Sequence, residues 1–211
     1  MCGENKGRVP PVSWLRWCFD RLARFDIRDA LVEQGLNFIR QPVINLFGTM
    51  VVRVLLQQTA SASLRLPSLH EENEEEVVLR VGDANAGQAT VCFVCFMSEA
   101  TEEMVAKAVK AVTSVKLTEV KEGEKRVSLI NSTSSEVLVV PQATLGGRLK
   151  GNSVQYHGNV KVEDGARLYD LFCTGLEEKL GEERIKRGRF GARQLLSTVT
   201  SGPFSHTFDI S

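Results

Sequence analysis

Histidine is scarce in this chain. There are 3 histidines in 211 residues, His70, His157 and His206, and no cluster of histidine with aspartate or glutamate has the spacing of a metal site. No G-x-S-x-G elbow surrounds a serine, so a Ser/His/Asp or Cys/His triad could be assembled only by arbitrary choice. Cysteine is equally sparse: 5 residues, an odd number without a regular framework, which points to a reducing compartment and a cytoplasmic protein. Cys92 and Cys95 form a C-x-x-C, but inside the apolar run VCFVCF. A redox pair wants a helix N-terminus beside it, and zinc wants a second ligand pair. Neither is present, so both read as core cysteines behaving as small hydrophobes. No apolar run reaches the ~18 residues of a membrane span. No G-x-G-x-x-G opens a β-α-β run, and Gly146-Gly147-Arg148 lacks the Gly-Lys-Ser/Thr ending of a phosphate-binding loop. An enzyme built on this sequence is therefore expected to work without a side-chain nucleophile, a metal or a cofactor.

Hydrophobic residues make up 43% and charged residues 25% of the chain, enough apolar material for a real core. The formal net charge is 0, so overall charge argues neither for nor against nucleic acid. Its distribution is uneven. Glu71, Glu72, Glu74, Glu75 and Glu76 form an acidic run. From Pro141 to Lys161 there is no acid, and Arg148, Lys150 and Lys161 are basic. Arg184, Lys186, Arg187, Arg189 and Arg193 follow in a second acid-free stretch. Local patches of this kind can hold phosphate on a neutral protein; a plain solvated face is the other reading.

Residues 1–49 differ in texture from the rest. Trp14, Trp17, Cys18, Arg21, Leu22 and Phe25 recur at helical spacing, and Asp20, Asp26, Asp29 and Glu33 spoil an acid-poor presequence. This stretch is expected to be an accessory extension, or sequence upstream of a start at Met50. From 50 to 211 one domain is expected. Val51–Gln57 reads as a strand and Ser61–Leu66 as its antiparallel hairpin partner. Gln88–Met97 reads as a central strand. A helix follows, capped by Ser98 or Thr101, with Met104, Val105, Ala108, Val109, Val112 and Val115 on one face. Lys125–Ile130 and Glu136–Val140 are expected strands. A second helix over Glu163–Leu180 carries Leu168, Leu171, Phe172, Leu176 and Leu180 and ends at Gly181. Arg193–Val199 and Phe204–Ile210 close the chain as strands. The expected fold class is α+β, a mostly antiparallel sheet or partial barrel with two helices packed on it.

Two corners break the apolar strands. In VVPQATLGG a buried run ends in proline, polar residues and two glycines, which suits a place where backbone approaches a ligand. The other is Thr200-Ser201-Gly202-Pro203-Phe204. A Gly-Pro pair between strands is commonly only a turn, yet it can also form a rigid wall of main-chain oxygen.

PQATLGGRLKG with QYH shortly after, then GRFGA at Gly188–Ala192 and TSGPFS at Thr200–Ser205, resembles the D-aminoacyl-tRNA deacylase family. The proline before Gln142, Ala143 after it and Phe204 after Gly-Pro resemble the animal-specific tRNA deacylase branch, with Ser201 where that branch carries asparagine. The resemblance spans Met50 to Ser211. It implies hydrolysis of the ester joining an amino acid to the terminal adenosine of tRNA, releasing D-amino acids and small mischarged residues such as L-alanine on a threonine tRNA. It implies a homodimer, with Gly202 and Pro203 placed against the partner's pocket as the selectivity element. It implies catalysis by the substrate's 2′-hydroxyl, with Gln142, Ala143, Thr144 and Leu145 forming the catalytic wall. Arg148, Lys150, Lys161, Arg187 and Arg189 would bind tRNA. The usual family members carry a cis Gly-Pro bond, and the animal branch is associated with a trans one. A non-catalytic RNA-binding module on the same fold, and a thiol-redox protein using Cys92 and Cys95, are the competing expectations.

Overall fold

The run ATVCFVCF is apolar on both faces because both faces are covered: β4 (Ala89–Phe96) lies in the middle of a sheet with layers on either side. In this computed structural model residues 52–66, 77–83, 88–119, 125–202 and 204–211 are described. They fall within one compact unit, Phe47–Ser211. The readings made for residues 1–49, the acidic run with His70, and Pro203 lie outside the described residues.

β4 is flanked by β1 (Val52–Thr59), antiparallel, and β7 (Glu136–Pro141), parallel. β12 (Ser205–Ile210) pairs with the outer edge of β1, and β10 (Ile185–Arg187) with the outer edge of β7. The order is β10-β7-β4-β1-β12. Alternation in β1 sends Val52, Val54 and Leu56 to one face and Arg53, Leu55 and Gln57 to the other. The first face packs on two helices, α1 (Glu102–Ser114) and α2 (Val162–Leu180). Val54, Leu56, Phe96, Val109, Phe172 and Leu176 share that core, each contributing roughly 1.5–3 kcal/mol by burial. The opposite face is partly covered by a second sheet, β11 (Leu195–Val199), β2 (Ser61–Leu66) and β3 (Val77–Gly82), with Leu64, Val81, Val91, Leu138 and Val140 between the two.

Thr101 is the observed cap of α1: its Oγ1 accepts from the Met104 N–H at 3.4 Å, with Glu102 and Glu103 in the first turn. α2 ends at Gly181, whose φ of 98° lies in the region glycine tolerates. Among the described residues the ladders are mostly antiparallel, as expected, and both parallel pairings involve β7. Each is joined by a helix: α1 carries the chain from β4 to β7, and α2 from β7 to β10.

Several elements differ from expectation. β1 and β2 do not form a hairpin. A single residue, Ala60, separates them, fewer than the tightest hairpin loop needs. The chain instead bends there into the second sheet, the Ala60 N–H donating to the Val199 carbonyl at 2.8 Å. β3 and β10 were not anticipated, nor were the short strands at Lys116–Thr118, Arg148–Lys150 and Ser153–Gln155. In the stretch Lys125–Ile130 only β6 (Val127–Ser128) is a strand, paired with β5 (Lys116–Thr118), and a 3-10 turn over Leu129–Asn131 follows. Leu171 is exposed, and Tyr169 takes the core position instead. Among the described residues no helix is long and apolar enough to cross a membrane.

Candidate active site

Pro141 sits in register with Val94, which is itself opposite Val54. Proline has no N–H to extend the ladder, so β7 stops, and Gln142 makes the last bond, its N–H donating to the Val94 carbonyl at 2.9 Å. Ala143–Gly146 then form a single 3-10 turn, closed by the Leu145 N–H on the Gln142 carbonyl at 3.2 Å and the Gly147 N–H on the Thr144 carbonyl at 3.1 Å.

Two carbonyls of this turn are drawn back onto the domain. That of Ala143 accepts from Asn159 Nδ2 at 2.8 Å and faces Cys95 Sγ at 3.6 Å. That of Leu145 accepts from Arg53 Nη1 at 2.9 Å. In a trans peptide the N–H points opposite to the C=O, so holding the Ala143 carbonyl inward turns the Thr144 amide outward. The first amides of such a turn have no acceptor within it, and Ala143 and Thr144 are exposed. Gln142 Nε2 donates to Thr144 Oγ1 at 2.5 Å, leaving the threonine hydroxyl proton to donate elsewhere. The result is a corner with the Thr144 amide facing out, whose hydrogen-bond set includes the exposed Thr144 hydroxyl and the buried Cys95 thiol.

The glycines answer to the protein's own packing. A Cβ at Gly146 would lie 1.9 Å from Asn159 Oδ1 and 3.1 Å from Cys95 Sγ. One at Gly147 would lie 2.7 Å from Val154 Cγ1 and 2.9 Å from Tyr156 Cε1. The GRFGA segment supports β7 from behind. Tyr169 Oη donates toward the Gly188 carbonyl at 2.8 Å and lies 3.1 Å from that of Val139. Phe190 packs on the Tyr169 ring at 5.8 Å between centroids.

At the other corner the Phe204 N–H donates to the Gly202 carbonyl at 2.9 Å, and the Gln58 N–H to the Phe204 carbonyl at 3.0 Å. The Phe204 ring lies over Gly202, where a Cβ would come within 3.0 Å of it. The Arg126 guanidinium stacks on that ring, 5.1 Å from its centroid. This corner hangs from the Gln58 end of β1, whereas the Gln142 corner is level with Val54. Four residues of strand, ~13 Å, separate those levels. One copy of the chain does not bring its own two corners together.

The basic residues divide. Arg148 and Lys150 are exposed on β8 (Arg148–Lys150), which pairs with β9 (Ser153–Gln155). Alternation puts Leu149 and Val154 on the opposite face, Leu149 being 78% exposed. Lys161 is exposed just before α2. Arg187 is half-buried: Nε and Nη2 grip the Glu177 carboxylate, Nη2 reaches Thr174 Oγ1 at 3.2 Å, and Glu177 raises its pKa further. Arg189 is held through its main chain, the N–H donating to Gln194 Oε1 at 2.7 Å.

Cys92 and Cys95 are both buried. Three residues apart on a strand, they point to opposite faces of the sheet, Cys92 into the helical core and Cys95 under the Ala143 turn. Burial pushes both thiols up, Cys95 being eased by the Gly146 amide and the Arg53 charge. His157 is exposed; His206 is half-buried opposite Leu56. Motif reading missed Arg53, Asn159 and Asp209. The only signal was a charged residue at an otherwise apolar strand position, Arg53 in VRVLL.

The family model described as D-Tyr-tRNA(Tyr) deacylase matches residues 55–209. D-aminoacyl-tRNA deacylase 2 of zebrafish (Danio rerio) is 38% identical over 167 residues, covering 76% of this chain and 99% of that protein. Its chicken (Gallus gallus) counterpart is 36% identical over 167 residues, covering 74% and 94%. A solved structure described as a probable eukaryotic D-amino acid tRNA deacylase superposes with a TM-score of 0.65 at 28% identity, covering 76% of this chain and 100% of that one. A structure described as c-Myc DNA Unwinding Element Binding Protein shares the fold, with a TM-score of 0.63 at 23% identity over 74% of this chain and 97% of that one.

Proposed function

This chain belongs to the D-Tyr-tRNA(Tyr) deacylase family, and we propose that residues 50–211 hydrolyse the ester of D-aminoacyl-tRNA and of small mischarged aminoacyl-tRNAs such as L-alanyl-tRNA(Thr), as a proofreading step of translation in the cytoplasm. The observation that carries this reading is the Ala143–Gly146 turn, whose inward-held Ala143 carbonyl leaves the Thr144 N–H facing out.

The chemistry follows from that arrangement. The ester carbonyl is placed against the amides of Ala143, Thr144 and Leu145, with the Leu145 amide loosening from Gln142 as the substrate docks. Each fixed donor on a developing oxyanion is worth about 2.7–4 kcal/mol. The adjacent 2′-hydroxyl of the terminal ribose orients and activates a water; the water oxygen bonds to the ester carbon, the acyl–oxygen bond breaks, and the proton passes to the departing 3′-oxygen, so free amino acid and tRNA leave and no protein nucleophile is required. Gln142, steadied by Thr144, orients the ester end. Gly202 and Pro203 of a second copy close the slot and sort substrates by the room they leave for a side chain. The proposed homodimer follows from the separation of the two corners within one copy. Arg148, Lys150, Lys161 and Arg189 meet tRNA phosphates, a contact that suits a protein accepting many tRNAs. Arg187, neutralised by Glu177, is left out of that set.

The deciding experiment is release of amino acid from matched D-tyrosyl-, L-tyrosyl- and L-alanyl-tRNA(Thr). Release of D-tyrosine and L-alanine well above the spontaneous rate, with L-tyrosyl-tRNA spared, is expected. Binding of tRNA without release would establish the RNA-binding module instead.

A further inference from the structure

One guanidinium joins three segments that are far apart in the chain. Arg53 lies on β1 directly opposite Asp209 on β12 and opposite Cys95 on β4. Its Nε donates to Asp209 Oδ1 at 2.6 Å and its Nη2 to Asp209 Oδ2 at 3.1 Å. Its Nη1 donates to the Leu145 carbonyl at 2.9 Å. The side chain is only 23% exposed, and that of Asp209 33%. A planar fork matched to both oxygens of a carboxylate has one orientation. Asp209 therefore aims the remaining nitrogen at the turn.

We infer that Arg53 and Asp209 form a positioning bracket for the catalytic turn. The inference rests on the deacylase reading above and names residues to which that reading assigns no role. The bracket and Asn159 divide the task. Asn159 holds the Ala143 carbonyl at the start of the turn, and Arg53 holds the Leu145 carbonyl at its end. By trans-peptide geometry Asn159 sets the Ala143–Thr144 peptide and so the Thr144 N–H, and Arg53 sets the Leu145–Gly146 peptide, so the turn is anchored at both ends. A lysine at 53 supplies a point charge without the fork and can satisfy Asp209 or Leu145, but not both in fixed geometry. Cys95, packed against the same turn, stays a neutral thiol because burial pushes its pKa up. It adds contact there and no competing charge.

The test compares wild type, Arg53→Met, Arg53→Lys and Asp209→Asn on D-tyrosyl-tRNA. The single-turnover release rate is measured separately from the affinity for the aminoacyl-tRNA, well below each variant's melting temperature. A turn displaced by about an ångström costs on the order of 100-fold in rate. Arg53→Met is expected to lose about 10- to 100-fold in the release rate while affinity changes less than about threefold, because the phosphate-binding residues lie elsewhere. Arg53→Lys recovers part of the loss, and Asp209→Asn falls between wild type and Arg53→Met. An unchanged release rate in folded Arg53→Met, or a loss confined to affinity, overturns the bracket. Should Arg53→Met fail to fold, Asp209→Asn, nearly isosteric, makes the same comparison. A wild-type protein that releases nothing sinks the deacylase reading itself, an outcome distinct from failure of the bracket.

Discussion

An alanine at position 146 puts a methyl group where none fits. The added carbon would sit 1.9 Å from Asn159 Oδ1, 2.8 Å from its Cγ and 3.1 Å from Cys95 Sγ. The φ of Gly146 is not positive, so the backbone itself would accept alanine and the cost is purely one of space. Asn159 must swing away and give up its 2.8 Å bond to the Ala143 carbonyl. The lost hydrogen bond costs about 0.5–1.5 kcal/mol, and overpacking about 1–3 kcal/mol. Against this, alanine restricts the unfolded chain and returns about 0.4–1 kcal/mol. The balance is a destabilisation of about 0.5–4 kcal/mol, at roughly 2–4 °C of melting temperature per kcal/mol for a domain of this size. The larger effect is on chemistry. With the Ala143 carbonyl released, the Thr144 amide loses its direction, and the release rate falls by about 100-fold. Thermal melts and single-turnover release of D-tyrosine from its tRNA read the two effects. Gly158→Ala, with nothing near its added carbon, is the matched control and is expected to be silent. Adding Asn159→Ala to Gly146→Ala removes the clash with Asn159 without restoring the pin, so part of the overpacking loss in stability returns while the rate stays low. A Gly146→Ala protein with wild-type melting and wild-type release would refute the reasoning.

Other expectations follow from the same geometry. Thr144→Ala, which leaves the main-chain donors in place, is expected to keep appreciable release, within about tenfold of wild type if the amides carry most of the 2.7–4 kcal/mol per donor; complete loss in a folded protein would return a chemical role to the hydroxyl. If the two corners meet across copies, mixing inactive Gln142→Ala with inactive Gly202→Trp under subunit exchange restores one intact site per mixed dimer, and release rises with time after mixing; two populations that stay inactive would count against the paired slot. Burial raises the Cys173 thiol from 9.0 to about 12, and the fold favours its neutral form. That contribution is full below pH 9 and is lost as pH climbs toward 12, so urea midpoints are expected to drop across this window and Cys173→Ala to flatten the drop.

Legibility of the fold in the sequence followed the range of the interactions. Thr101 with two acids after it, then apolar residues every three to four positions, is a local statement of a helix, and α1 begins at that cap. Pro141 and the two glycines are likewise local, and the corner they predict is there. The change of sheet at Ala60 was not legible, because strand alternation is the same whichever neighbour a strand takes. The parallel pairing of β7 depends on where two helices carry the chain, which residue type does not encode. At the candidate site, Gln142 to Leu145 were proposed from the motif, whereas Arg53, Asn159 and Asp209 make contacts that span 92, 16 and 156 positions of sequence. Nothing in their neighbours announces those partners. Arg187 shows the converse: it sits in a basic run, yet Glu177 ten positions earlier already holds it.

The two corners lie level with opposite halves of β1, which makes that strand a ruler. Surface loops elsewhere can lengthen at little cost, but one residue inserted between Arg53 and Gln58 would slide one corner past its station by ~3.3 Å. It would also turn either Arg53 or Gln57 toward the helices, since a shift by one exchanges the faces of a strand. In the proposed two-fold pair the error would be made twice, once at each mouth. On that reading the length of β1 is itself a dimension of the site.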